Sequence, residues 1–319
     1  METMEYNNSV NAVLQHQLNI LDKYLRLEAN ELMINKSGEI YVDYGDKYKL
    51  IKDPEINYDF LDSFIIQLAT RRNQRFNEKY PSLSCELPPP YLRYRVQAQH
   101  ESILFNSDIS INIRIPSDKR FKLESFIMNE KLIKEGWTYQ KIKDFIKNKK
   151  NILISGGTGS GKTSFLNSLM AEIPKEDRVV TIQDSQELFV ENNNRVEIAI
   201  PKDEGIYTYV TAINNAMRLK PDRLFLGEID IRNTSAFLRI NNSGHTGNLS
   251  TLHANNSIDA INAIITNCIL AGNSGNSDKE ALLSYIRSAI DYIIQIERIG
   301  RERKIIEILD IKQYIKEKN

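Results

Sequence analysis

Lys162 and Thr163 close a glycine-rich run that reads Gly156, Gly157, Thr158, Gly159, Ser160, Gly161, Lys162, Thr163, Ser164. The spacing G-x-x-x-x-G-K-[ST] answers the needs of a nucleoside triphosphate. Glycines let the backbone take positive φ and approach the phosphates without a Cβ clash, so consecutive N–H groups can point at one anion. The Lys162 ammonium would bridge the β- and γ-phosphates, and the Thr163 hydroxyl would sit on Mg²⁺. The segment Gly157 to Ser164 is therefore the expected nucleotide-binding loop. The apolar run ILIS stands before it, and SFLNSLMAEI after it spaces Phe165, Leu166, Leu169 and Met170 as on a helix. That order, strand then loop then helix, places the positive end of a helix under the phosphates.

Carboxylates follow two further apolar runs. VVTI leads to Asp184 and Glu187, and LFLG leads to Glu228. Ligands of parallel sheets bind outside the carboxyl ends of the strands, where an acid can hold Mg²⁺ through water or orient the attacking water. Glu228 is the stronger candidate for such a role, since acids like Asp184 and Glu187 also serve as helix caps after a strand. The polar segment GHTGNLSTLHANN carries His245 and His253. No further residues complete a zinc site around them, and their chemistry alone leaves a phosphate-sensing role undecided.

These residues need a scaffold, and the rest of the chain supplies two. After Asn151 the runs ILIS, VVTI and LFLG lack alternation, as do parallel strands buried on both faces, and helical segments separate them. ALLSYIRSAIDYIIQIERIG followed by RKIIEILDI reads as a helix, a strand, a turn at Gly300 and a last strand. Upstream, Val10, Val13, Leu14, Leu18, Leu21 and Leu25 recur as on an amphipathic helix, residues 31–51 alternate as a meander with turns at NKSGE and YGDK, and Tyr58 to Phe76 reads as a helix. The prolines Pro88 to Pro90 break the chain before LRYRVQAQ, and ISINIRIPS is a further strand. The expected organisation is a small mixed α/β domain over residues 1–118, a linker over 119–150 containing the basic run IKNKKN, and a P-loop domain with a mostly parallel sheet over 151–319.

Composition fits two globular domains: 319 residues, 41% hydrophobic and 26% charged. Lys plus Arg and Asp plus Glu both number 42, so the overall charge favours neither nucleic acid nor an anionic membrane as direct partner. No run of about 18 uncharged apolar residues is present, and METMEYNNSV lacks the features of a signal peptide, so a cytoplasmic protein without a membrane span is expected. Cys85 and Cys268 are read as packing residues, with neither metal-ligand spacing nor a disulfide framework.

Taken in order, ISGGTGSGKTSFLNSL, VVTIQDSQEL, MRLKPDRLFLGE and SGHTGNLSTLHAN resemble the Walker A loop, Asp box, Walker B strand and His box of the secretion ATPase superfamily. The compact size and the lack of a four-cysteine insertion look most like the traffic ATPase of type IV secretion and conjugation systems, with type II secretion and pilus ATPases as neighbouring branches. INKSGEIYV, YRVQ and INIRIPS in the N-terminal half agree more weakly. The resemblance implies a RecA-like ATPase domain, ATP and Mg²⁺ as cofactors, and a homo-oligomeric ring, usually a hexamer. It also implies inner-membrane secretion-machine proteins as partners and a peripheral position at the inner face of the bacterial inner membrane. It implies that Glu228 is the Walker B acid and a water-mediated Mg²⁺ ligand, Glu187 the water-activating acid and His253 the residue near the γ-phosphate with His245 its companion. Arg95 and Arg114 match arginines by which the N-terminal domain reaches the phosphates. Two positions depart from the family: Gln183 replaces an acid of the Asp box, and Glu228 is followed by Ile229 and Asp230 where Leu-Arg is usual, with Arg232 two positions later. The leading expectation is an ATP-hydrolysing ring motor that energises substrate translocation or pilus assembly by a type IV secretion system, with a type II secretion or type IV pilus ATPase as a further branch. A nucleotide-gated scaffold with weak hydrolysis is the alternative, and a DNA-directed motor lacks the basic stripe it would need.

Overall fold

The computed structural model describes residues 10–45, 47–116, 120–200, 207–272, 279–300 and 302–318. The first nine residues and Asp46 of the YGDK turn, both read in the sequence, lie outside this range. The chain divides into two compact units, Met1–Asp118 and Lys119–Asn319.

The first unit contains α1 (Ala12–Leu25), β1 (Glu31–Lys36), β2 (Glu39–Asp43), β3 (Tyr48–Lys52), α2 (Tyr58–Arg71), β4 (Ser82–Glu86), β5 (Arg95–His100) and β6 (Ile109–Arg114). Asn11 and Asn57 start the helices, each side chain accepting from the backbone N–H three residues on, that of Leu14 and that of Phe60. On α1 the buried stripe is Leu14, Leu18, Leu21, Tyr24 and Leu25, while Val13 points away, 51% exposed. Helix α2 stops at Arg71, short of the expected Phe76, and Asn73 takes the left-handed conformation just beyond it, φ 56°. The strands form one antiparallel sheet in the order β3-β2-β1-β6-β5-β4. Ile109, Ile111, Ile113, Val96 and Ala98 face the helices and form the core with them.

On the opposite face the register sets Arg95 against Arg114, Arg114 also against Glu31, and Arg95 against Glu86. Residues directly opposed across strands share a face, so a row Glu86, Arg95, Arg114, Glu31 crosses four strands with its two cations adjacent.

The second unit begins with β7 (Ile127–Met128), α3 (Glu130–Lys134), α4 (Tyr139–Lys147), β8 (Ile152–Ser155) and α5 (Lys162–Met170). It continues with β9 (Val179–Gln183), β10 (Arg195–Ala199), α6 (Tyr209–Met217), β11 (Arg223–Leu226), α7 (Thr234–Asn241), β12 (Leu249–Leu252) and α8 (Ser257–Leu270). The last elements are α9 (Lys279–Ala289), β13 (Tyr292–Ile299), β14 (Glu302–Asp310) and α10 (Ile311–Lys318). The sheet has eight strands in the order β10-β9-β11-β12-β8-β13-β14-β7. Strands β10, β9, β11, β12, β8 and β13 are parallel, β14 returns antiparallel, and β7 pairs parallel to β14. The mostly parallel sheet is the one the unbroken apolar runs announce, and the arrangement is RecA-like, as the family resemblance implies. Alternation sorts those runs between two cores: Leu153, Val180 and Leu224 pack with α6, α7, α8 and α9, whereas Ile152, Ile154 and Val179 pack with α5.

The described part of the stretch read as a linker, residues 120–150, packs into the second unit. Leu123, Phe126, Met128, Leu132, Ile142 and Ile146 are buried in the second core, where the Phe126 ring meets Phe165 edge-on with centroids 4.9 Å apart. Strand β7, two residues long and without alternation to announce it, closes the sheet edge beside β14. The basic run before β8 is tied down as well, with Lys149 against Asp222 and Lys150 against Asp291.

Candidate nucleotide-binding site

Strands β8, β9, β11 and β12 are neighbours running in one direction, so the residues following each of them gather at one end of the sheet. The loop after β8 turns into α5 through Gly161, whose φ of 97° is reserved for glycine. A Cβ at Gly156 would lie 2.4 Å from the Ile296 carbonyl of β13 and 2.6 Å from Ser160 Oγ, so the loop passes hard against the neighbouring strand. Around Gly157 and Gly159 the opposite holds. A Cβ at either would meet nothing within 4 Å, which leaves open space on the side where an anion could sit. Thr158 is exposed, Ser160 is buried, and Thr163 and Ser164 lie in the first turn of α5.

Lys162 opens that helix and is only 7% exposed. Its Nζ donates to the carbonyls of Gly156 and Gly157, both at 2.9 Å, and lies 3.2 Å from His253 Nδ1. Burial lowers its pKa, with the charges of Glu228 and Glu187 acting in the other direction. His253, the residue after β12, places Nε2 3.2 Å from Glu228 Oε1. Burial raises the Glu228 pKa, opposed by His253 and Lys162. Glu228, His253 and Lys162 thus form a connected line from one strand end to the phosphate-type loop. Such a group can hold an anion between a cation and backbone N–H groups, and can present a carboxylate readier than usual to take a proton.

The loop after β9 is held by side-chain amides. Gln183 Oε1 accepts from the N–H of Glu187 at 2.8 Å and of Leu188 at 3.0 Å. Asn167 of α5 donates to the Glu187 carbonyl at 2.9 Å and accepts from Phe189 N–H at 2.8 Å. Through these bonds the Glu187 backbone is anchored to α5, and the charge of Glu187 is felt by Lys162. Asp184, nearer β9, acts on Tyr209, Glu228 and Arg232.

The structure does not bring His245 to this group. It precedes β12 while His253 follows it, and because β12 runs parallel to β8 the two histidines lie at opposite ends of the sheet. His245 instead shares a hydrogen bond with Ser243 Oγ at 3.2 Å. Arg95 and Arg114 belong to the first unit, where they stand side by side in β5 and β6.

Three residues near the loop have roles that the sequence reading did not assign to them. Asn167 carries a weak signal, a polar residue between Leu166 and Leu169 on a helix that must pack. Gln183 looked only like a missing acid. Arg303 carries no local signal, since β14 delivers it from far along the chain: a Cβ at Gly161 would lie 2.7 Å from Arg303 Cδ, and the guanidinium stands over the Phe121 ring at 4.4 Å. Burial, with the nearby Arg298, lowers the Arg303 pKa.

Comparison with known proteins agrees with this architecture. The profile of the family described as "Type II/IV secretion system protein" matches residues 100–302. The chain is similar to the type IV secretion system protein VirB11 of Bartonella quintana, with 27% identity over 338 residues, 95% of this chain and 94% of that protein. The crystal structure of the VirB11 ATPase of Brucella suis, in complex with sulphate, aligns with a TM-score of 0.51 and 24% identity over 95% of each chain. That of the Legionella pneumophila ATPase DotB aligns with a TM-score of 0.65 and 20% identity, over 96% of this chain and 81% of that one. With more than half of its length matched by the family profile, the chain belongs to the Type II/IV secretion system protein family.

Proposed function

We propose that this chain is the ATP-hydrolysing motor of a type IV secretion system. The observation that carries the reading is the line Glu228, His253, Lys162, in which a buried ammonium is held at the glycine loop by two carbonyls and a histidine that also meets the acid after β11. A lysine whose burial outweighs the charges of Glu228 and Glu187 favours an anion beside it, and the open backbone at Gly157 and Gly159 is where one fits.

In this reading the loop from Gly157 to Ser164 binds the triphosphate and Lys162 neutralises its terminal phosphates. Thr163 and, through water, Glu228 would hold Mg²⁺, which supplies charge neutralisation of the phosphates when bound. Glu187 orients and deprotonates the attacking water, His253 reports on the γ-phosphate, and Asp184 lies at the edge of the site. Arg303 and Phe121 extend the nucleotide surface beyond the loop. Arg95 and Arg114 supply cations from the first unit. Two guanidiniums set side by side on one sheet face, with Glu86 and Glu31 at the ends of their row, make a paired cationic surface of the kind a phosphate can bridge, which supports a phosphate-directed role. A charge contributed by a separate unit completes the site only on closure, so hydrolysis would release that unit and drive motion. The working form is a ring of identical chains, six in the family pattern, docked on secretion-machine proteins at the inner face of the inner membrane. Among the described residues no helix is long and apolar enough to cross a membrane.

Neither departure from the family pattern empties the site: Gln183 is engaged as an acceptor for two N–H groups, and Asp230 pairs with Arg232. The test is Mg²⁺-ATP turnover per chain across a wide range of protein concentration, with Lys162→Ala as control. Turnover that rises with concentration and disappears in the variant is expected. ATP binding with turnover no greater than in Lys162→Ala would overturn the motor and leave a nucleotide-gated scaffold.

A further inference from the structure

The turn after Glu228 is closed by a circuit of polar contacts that the family resemblance does not account for. Asp230 Oδ1 accepts from the Arg232 backbone N–H at 2.7 Å, and Oδ2 accepts from Arg232 Nε at 2.8 Å and Nη2 at 2.5 Å. The Asp230 N–H donates to Asn233 Oδ1 at 2.9 Å, and its carbonyl accepts from Thr234 N–H at 3.0 Å and Thr234 Oγ1 at 2.6 Å. Asn233, 1% exposed, donates from Nδ2 to the Glu228 carbonyl at 3.0 Å. The Arg232 guanidinium stands over the ring of Tyr209, the first residue of α6, at 5.1 Å.

An ion pair on a surface contributes little by itself. Here the fork of the guanidinium closes on one carboxylate, its face rests on an aromatic ring, and the carboxylate's residue also organises the backbone to which Glu228 is bonded. A lysine could supply the charge but neither the fork nor the stacking plane.

We propose that Arg232 is a positioning residue for Glu228: clamped on Asp230 and backed by Tyr209, it fixes the turn from which Glu228 projects and ties that turn to α6. The proposal rests on the reading of Glu228 as an acid of the ATPase centre. It gives the departure Asp230 a purpose, since this carboxylate redirects a nearby arginine into a local clasp.

The experiment measures kcat and KM for Mg²⁺-ATP, with hydrogen exchange of the 228–234 backbone amides, in Asp230→Asn, Arg232→Ala, Arg232→Lys and the double variant Asp230→Asn/Arg232→Ala. Asp230→Asn keeps an oxygen for the Arg232 N–H and loses only the ionic clamp. Asp230→Asn and Arg232→Ala are each expected to lower kcat about tenfold with KM within about twofold, since small displacements at a reacting centre cost rate before binding. Arg232→Lys should recover less than half of the loss, and the double variant should be no slower than the singles because both remove one clasp. Unchanged kcat in either single, full recovery in Arg232→Lys, or additive losses would overturn the proposal. Failure of the ATPase reading shows separately, as parental turnover no greater than that of Lys162→Ala. The clasp is then judged by hydrogen exchange alone: faster exchange at Ile229 and Thr234 in both Asp230→Asn and Arg232→Ala supports it, and unchanged exchange in both overturns it.

Discussion

Gln183 shows how a residue's chemistry can be misjudged when its partners are unknown. Against the family pattern it is a lost carboxylate, yet its amide oxygen accepts two N–H groups of the loop that carries Glu187. The position needs an acceptor, and an amide oxygen or a carboxylate can supply one. Gln183→Glu should therefore keep turnover within about twofold, while Gln183→Ala should leave two N–H groups of that loop without their acceptor, cost about 1–3 kcal/mol in denaturant midpoint analysis and lower kcat. Glu228 tests the cost of assembling the site. Burial holds its folded pKa above the ordinary glutamate value of 4.5, so folding takes up a proton in that interval and stability falls as pH rises through it. Glu228→Gln removes that loss. Without nucleotide, the variant's thermal midpoint should gain on the parent as pH rises from about 4.5 and then hold a constant lead above the raised value; with ATP, the variant should bind and fail to hydrolyse.

At the scale of elements, legibility followed sequence locality. Strand β8, the glycine loop and α5 are legible because the signals that announce them lie within about twenty residues, and the acids after β9 and β11 follow once those strands are read as parallel. Constraints from distant segments were hidden. The stretch before Asn151 reads as basic and solvated, but its Phe126 and Leu132 cover the α5 side of the sheet and belong to that core. Edge strand β10 buries neither face fully, and its charged Arg195 and Glu197 mask the half-buried Val196 and Ile198. The separation of His245 from His253 was present in the sequence, since four apolar-to-small residues between two polar turns form a strand that must carry its ends apart. The same packing makes Gly156 a sensitive position. Gly156→Ala would drive a methyl group into the Ile296 carbonyl, a backbone atom that cannot swing aside. It should lower stability by about 1–3 kcal/mol and abolish nucleotide binding, measured by thermal melting and by titration with a fluorescent ATP analogue.

At the scale of the whole molecule, the proposal that two units share one chemical task turns on Arg114. Arg114→Ala should slow hydrolysis about tenfold or more, in keeping with a charge supplied to a phosphoryl-transfer site, and leave the melting of the second unit unchanged. An unaltered rate would remove the first unit from the chemistry. Within the second unit, the phosphate-type loop is walled by the hairpin of β13 and β14: Ile296 lies against Gly156 and Arg303 against Gly161. This wall is built from strands far downstream of the loop. During synthesis the glycine loop emerges well before the strands that brace it, so a nascent chain would display the motif without the finished cradle. Competence to take up nucleotide would then arrive only once β13 and β14 have been made and have folded back against the loop.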